Sequence, residues 1–188
     1  MLLENVEPGT KVSDEPQVPP VSEVAELLTG LRETVRYDGG QLPTMAQGLE
    51  SMFSRIGGLL SNPQVSPLVA PQVLDDGHRK ARELASNGPT GLLQGDLHLA
   101  NILRAGPARG LVAIDPRPSV GDPAFDAIDW TLDRVASIDE VHDRIGRLCK
   151  LVRGLEPDRL WGWCQATAAA LAILLLRRRP QTAQQSSC

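Results

Sequence analysis

The amino-acid sequence predicts a mainly α domain with one small β-hairpin, an α+β fold. Three observations carry this. Apolar residues recur at three- and four-residue spacing through most of the 188 residues. Capping patterns and Pro or Gly stops punctuate those stretches. Only the middle of the chain holds short extended apolar runs joined by a turn-rich segment. The length suits a single domain able to bury a core of its own.

In chain order, Met1-Leu2-Leu3 is briefly apolar, and Pro8-Gly9, Pro16 and Pro19-Pro20 then discourage regular structure. Residues 1–20 therefore read as a strand end or linker. From Ser22, the spacing of Val24, Leu28, Leu31 and Val35 predicts an amphipathic helix closed by Gly39-Gly40. Thr44 with Gln47 forms a capping box ahead of Leu49, Met52, Phe53, Ile56 and Leu60, a second helix that weakens at Gly57-Gly58. Ser66-Pro67 has the order of an N-cap and first helical residue, so a third helix is expected from there to Asn87-Gly88-Pro89.

Leu92-Leu93 is an extended run, and Ile102-Leu103-Arg104 and Leu111 to Ile114 flank the turn Ala105-Gly106-Pro107-Ala108-Arg109-Gly110. These predict a loop and a β-hairpin. Asp122-Pro123 opens a helix bearing Phe125, Ile128, Trp130 and Leu132, with Asp122 as its N-cap. Ser137 and Glu140 make a second capping box before Val141, Ile145, Leu148 and Val152. A last helix is expected from about Pro157 to Arg179, where Arg177, Arg178 and Arg179 answer its dipole and Pro180 stops it. Trp161 and Trp163 on this helix read as packing residues. The polar tail 181–188 is expected to be disordered.

A net charge of −4 and a pI near 5.4 argue against nucleic acid as a partner and favour a cationic small molecule. Cys149, Cys164 and Cys188 are odd in number and far apart, forming neither a disulfide framework nor a CxxC site, which fits a reducing cytoplasm. The longest apolar run, Ala166 to Leu176, falls short of the ~20 residues that span a bilayer, so no membrane partner is expected.

The chemistry lies in Leu93-Gln94-Gly95-Asp96-Leu97-His98-Leu99-Ala100-Asn101-Ile102-Leu103, followed after the hairpin by Val112-Ala113-Ile114-Asp115-Pro116. Phosphoryl transfer needs a carboxylate beside the attacking hydroxyl and oxygen ligands for the nucleotide's Mg²⁺. Asp96 with Asn101 five residues later has the spacing of such a loop, and strand alternation leaves Asp115 at the hairpin's exit as a second metal ligand. His98 reads as a loop residue that fixes the turn rather than a base. Asp126 and Asp129 follow on the next helix, where they either serve its dipole and surface or pair with a cationic substrate. A dimetal phosphoesterase, suggested by Asp96-x-His98, fails on inventory, because His78, His98 and His142 are the only histidines and no Gly-Asn-His box is present.

This central segment, with Val120-Gly121-Asp122-Pro123-Ala124-Phe125-Asp126, resembles the aminoglycoside phosphotransferases, in particular the streptomycin 6-kinase and hydroxyurea-resistance kinase branch. Leu2-Leu3-Glu4 with Pro8-Gly9-Thr10 resembles that branch's hinge, Val24 to Leu28 its first C-lobe helix, and Trp161 to Arg178 its closing helix. The resemblance implies the C-lobe of a protein-kinase-like fold over residues 21–180, with residues 1–20 as hinge remnant and linker. It implies ATP and Mg²⁺ as cofactors and phosphorylation of a hydroxyl on an aminocyclitol antibiotic such as streptomycin. Asp96 matches the catalytic Asp, and Asn101 and Asp115 match the Mg²⁺ ligands. The family usually has His where this chain has Gln94. A chain opening at the hinge has no room for the Gly-rich strand pair and strand Lys that hold the nucleotide phosphates. It is therefore expected to be a truncated form, inactive alone, and the alternatives are a non-catalytic or regulatory C-lobe or a kinase for hydroxyurea or another small hydroxylated compound.

Overall fold

The computed structural model describes residues 5–34 and 41–178. Met1-Leu2-Leu3, Glu4, Val35, Gly39-Gly40, Arg179 and the tail lie outside the described residues. The chain is mainly helical with two small antiparallel sheets. In order it forms β1 (Thr10–Lys11), α1 (Val21–Thr34), α2 (Met45–Gly57), α3 (Pro71–Ser86), β2 (Gly91–Leu93), β3 (Ile102–Arg104), β4 (Leu111–Ala113), β5 (Ser119–Gly121), α4 (Ile128–Leu132), α5 (Ile138–Leu151) and α6 (Pro157–Arg178). Short 3₁₀ segments, among them Leu99–Asn101 and Pro123–Ala127, join them.

Helices α2 and α5 begin at the side-chain caps that the sequence announces. The Thr44 side chain accepts the Gln47 N–H while Gln47 returns a bond to the Thr44 N–H, and Leu49, Phe53 and Ile56 are buried as their spacing predicts. Ser137 accepts the Glu140 N–H to start α5, but the Glu140 carboxylate accepts from Ala136 N–H, one residue upstream of a full capping box. The third helix is a correction. It starts at Pro71 rather than at Ser66-Pro67, because Ala70, held extended (φ −68°, ψ 134°) ahead of a proline, cannot continue a helix through that point. The residues between make a tight turn, with Val65 O accepting from the Leu68 and Val69 N–H groups.

The hairpin falls where the sequence places it, with Ile102 opposite Ala113 and Arg104 opposite Leu111. Two pairings were not foreseen. β1 adds antiparallel to the free edge of β3, and Leu92 in β2 pairs with Val120 in β5. Within the stretch read as hinge and linker, Val12 is fully buried, Glu15 holds Arg104 through two hydrogen bonds of 2.7 and 3.0 Å, and the Trp130 indole donates to Pro19 O. The Arg104 guanidinium holds the Glu15 carboxyl below its ordinary range.

The core is one cluster drawn from every helix, with α6 at its centre against α3, α4 and α5. α6 falls on the range its sequence predicts, and its apolar character extends beyond the Ala166 to Leu176 run. Pro157–Arg177 meets the length and composition of a membrane-crossing helix. Its Leu160, Trp163, Cys164, Ala166, Ala170 and Ile173 are nevertheless buried inside this domain, the pattern of a core helix. Gly77 of α3 lies so close that a Cβ there would stand 2.5 Å from Ala166 O, so glycine sets this helix spacing. Trp163 is fully buried, with its ring edge-on to Phe125 at 5.3 Å.

Candidate active site

β2 carries the chain into the loop that holds Asp96, and the turn is possible because Gly95 has φ +82°. The segment leaving β4 crosses this glycine so closely that a Cβ would be driven into the Arg117 carbonyl oxygen. Gln94, just before it, is buried and spends every polar group. Its N–H donates to Asp126 Oδ2 (2.8 Å), its O accepts the Arg117 N–H (2.8 Å), its Nε2 donates to Ile114 O (2.9 Å), and its Oε1 accepts the Asp96 N–H (2.7 Å). One amide thus ties the Asp96 loop to the hairpin's exit. A neutral imidazole also offers one donor and one acceptor, which gives the Gln-for-His departure a physical account.

Beyond Asp96 the backbone closes on itself. The His98 N–H donates to Asp96 O and His98 O accepts the Asn101 N–H, so the main chain of His98 fixes the turn. Its imidazole stays outside, Nε2 lying 3.9 Å from Asp96 Oδ1, too far for a hydrogen bond. Asn101 is buried and donates from Nδ2 to Asp96 O (2.9 Å), which leaves its amide oxygen as the free end. The Ile114 N–H donates to Asn101 O (2.9 Å), so Asn101 and Asp115 are neighbours across the hairpin. Asp115 is exposed and adopts φ +49°, a conformation Asp tolerates better than most residues, where the chain turns away from β4.

The structure therefore brings Asp96, Asn101 and Asp115 near one another through one side-chain bond, Asn101 to Asp96 O, and one main-chain bond, Ile114 to Asn101 O. No cluster of three His, Cys, Asp or Glu side chains suited to a metal occurs among the described residues. An Asn oxygen and one carboxylate nevertheless suit Mg²⁺, which takes few protein ligands and completes its shell with water and phosphate oxygens.

The two helix carboxylates have separate fates. Asp126 is buried and accepts both Gln94 N–H and Gly95 N–H (3.0 Å), so its carboxylate is occupied by the loop rather than turned to a substrate. Burial raises its pKa, while those two N–H groups and the Arg32 charge oppose the rise. Asp129 makes no side-chain hydrogen bond to the described residues. Burial pushes its carboxyl up to about 6, opposed by His98 and reinforced by the charges of Asp96, Asp133 and Asp126. Asp122 caps Pro123–Ala127 as its sequence position predicts, accepting the Ala124 N–H (3.0 Å). Its other oxygen takes the Trp163 indole N–H (2.6 Å) and the Arg159 guanidinium, which bolts this segment to α6.

Sequence reasoning missed Arg117. Its Nε stands 3.2 Å from Asp96 Oδ2, and the only signal was a cation two residues beyond Asp115. A cavity of about 410 Å³ bounded by Arg32, Asn87, Glu156 and Arg159 lies apart, and none of Asp96, Asn101 or Asp115 lines it.

A braced loop presenting one carboxylate beside an Asn and an Asp defines the class, a small helical domain with kinase-type catalytic spacing. A sequence profile described as aminoglycoside/hydroxyurea antibiotic resistance kinase matches residues 1–177, and the chain belongs to that family. It is also similar to a hydroxyurea phosphotransferase of Kitasatospora aureofaciens, 31% identical over 125 residues, which are 62% of this chain and 35% of that relative. The chain thus spans about a third of the relative's length.

Proposed function

We propose that this chain carries the catalytic loop of an ATP-dependent phosphotransferase acting on a hydroxyl of an aminoglycoside antibiotic such as streptomycin, within a kinase-like C-lobe over residues 21–180. The observation that carries it is that Asn101 bonds to Asp96 O through its Nδ2 and accepts the Ile114 N–H at its own O, next to Asp115. Mg²⁺·ATP, when bound, supplies the transferable phosphoryl group. Asp96 orients the attacking hydroxyl and takes its proton, and Asn101 and Asp115 hold the metal ion. Asp129 supports a cationic substrate. It is a partly buried carboxylate with like-charged neighbours and no hydrogen bond to the described residues, a charge that an amine or guanidine would pair with. The acidic balance of the chain agrees with a small cation rather than nucleic acid, and α6 is read as a core helix of a cytoplasmic protein.

A second reading has its own support. The similar relative is a hydroxyurea phosphotransferase, and hydroxyurea offers a hydroxyl without a cation. The test uses purified chain, alone and joined to the remainder of that relative, with labelled ATP, Mg²⁺ and either streptomycin or hydroxyurea. Labelled product is expected from the joined protein and not from the chain alone, and Asp96→Asn in the joined protein should lower its rate by about 10²–10⁴ while leaving the fold intact. A folded Asp96→Asn protein that transfers phosphate at the unaltered rate would overturn the assignment.

A further inference from the structure

We propose that Arg117 is the cation that receives a phosphate-bearing group beside Asp96, an assignment that deepens the phosphotransferase reading and rests on it. Three observations converge on this side chain. Its backbone is immobilised at the catalytic loop, since its N–H is bonded to Gln94 O and its carbonyl fills the space over Gly95. Its guanidinium reaches the Asp96 carboxylate, with Nε 3.2 Å from Oδ2. The side chain is 69% exposed, and beyond this charge contact it makes no hydrogen bond to the described residues, so its donors remain unspent.

A structural role does not account for this arrangement. An ion pair so exposed adds little to stability, and the loop is already held by Gln94, Asn101 and Asp126. Electrostatics supplies a reason. Asp96 and Asp115 both stand where an anion would have to arrive, and a phosphate oxygen is repelled there unless a cation lies between. A planar guanidinium with parallel N–H groups matches two phosphate oxygens, and an anchored backbone with a free head lets it turn from Asp96 to the anion. In the unliganded state Asp96 is then the competitor that keeps Arg117 in place.

The test is a titration of the full chain with inorganic phosphate, followed through the Arg Nε–Hε signals in ¹H–¹⁵N spectra. Saturable movement of the Arg117 signal is expected. Arg117→Met should weaken phosphate at least about tenfold, and Arg117→Lys should recover part of the loss. Asp96→Asn, by removing the competitor, should tighten phosphate severalfold. Arg117 buries no apolar core, so unchanged backbone spectra will show that its variants fold. Phosphate bound equally by Arg117→Met, or bound no more tightly by Asp96→Asn, overturns the proposal. Neither nucleotide nor acceptor is used, so the outcomes separate. Phosphate held by Arg117 in a protein whose phosphoryl transfer ignores Asp96 would sink the transferase reading alone. Transfer that needs Asp96, in a protein whose Arg117 ignores phosphate, would sink this proposal alone.

Discussion

Replacing Gln94 by leucine isolates what the loop's central brace contributes. Leucine fills similar space but removes both side-chain bonds, leaving the Asp96 N–H and Ile114 O without those partners. A buried polar group stranded in this way costs about 1–3 kcal/mol, and both groups here are only partly buried. The lower end of that range, about 1–1.5 kcal/mol, applies to each, so the variant should lose about 2–3 kcal/mol. For a chain of this size that lowers the melting temperature by about 5–10 °C. Gln94→His keeps one donor and one acceptor at the same place and should stay within about 1 kcal/mol of the original. Urea and thermal unfolding followed by circular dichroism measure both, and amide exchange at Asp96 should quicken in Gln94→Leu alone. A leucine variant as stable as the original, or a histidine variant as damaged as the leucine one, would refute the bracing argument.

Two further outcomes follow from the carboxylates. Asp129 has its pKa raised from 3.8 to about 6, so the unfolded chain loses that proton first and the group's cost to folding grows as pH rises through this window, reaching about 3 kcal/mol above it. Asp129→Asn should therefore stabilise the domain by up to that amount at neutral pH and by almost nothing near pH 4, as denaturant titrations at the two pH values will show. Asp122→Ala leaves the largely buried Arg159 guanidinium without its carboxylate and the Trp163 indole without an acceptor, and should cost about 3–5 kcal/mol, read from calorimetry.

Elements whose stability is local were legible in advance. The Thr44 capping box, the Ser137 cap, the Asp122 cap and the hairpin around Gly106-Pro107 each depend on residues within a few positions of one another, so their spacing carries the information. The failures are long-range. β5 is three residues with a single apolar member, and it is a strand only because β2, some thirty residues earlier, lends it hydrogen bonds. The false start at Ser66-Pro67 shows a local signal overruled by a stronger one, the second proline at Pro71.

The candidate site divides along the same line. Asp96, Asn101 and Asp115 were legible as candidates because a five-residue spacing and a hairpin exit are properties of the chain. What holds them was not, since Asp126 lies about thirty residues from the amides it binds and Arg117 about twenty from Asp96. Asp126 and Asp129 illustrate why. On the sequence they are equivalent acids three apart at the start of one helix, open to either a surface or a substrate role. In the fold one meets two backbone N–H groups and the other meets none, so one braces the loop while the other keeps a carboxylate with no hydrogen bond to the described residues. Helical periodicity reports which face is buried. Which acid on that face finds donors depends on where a distant loop ends, and that loop is itself set by the carbonyl crossing Gly95.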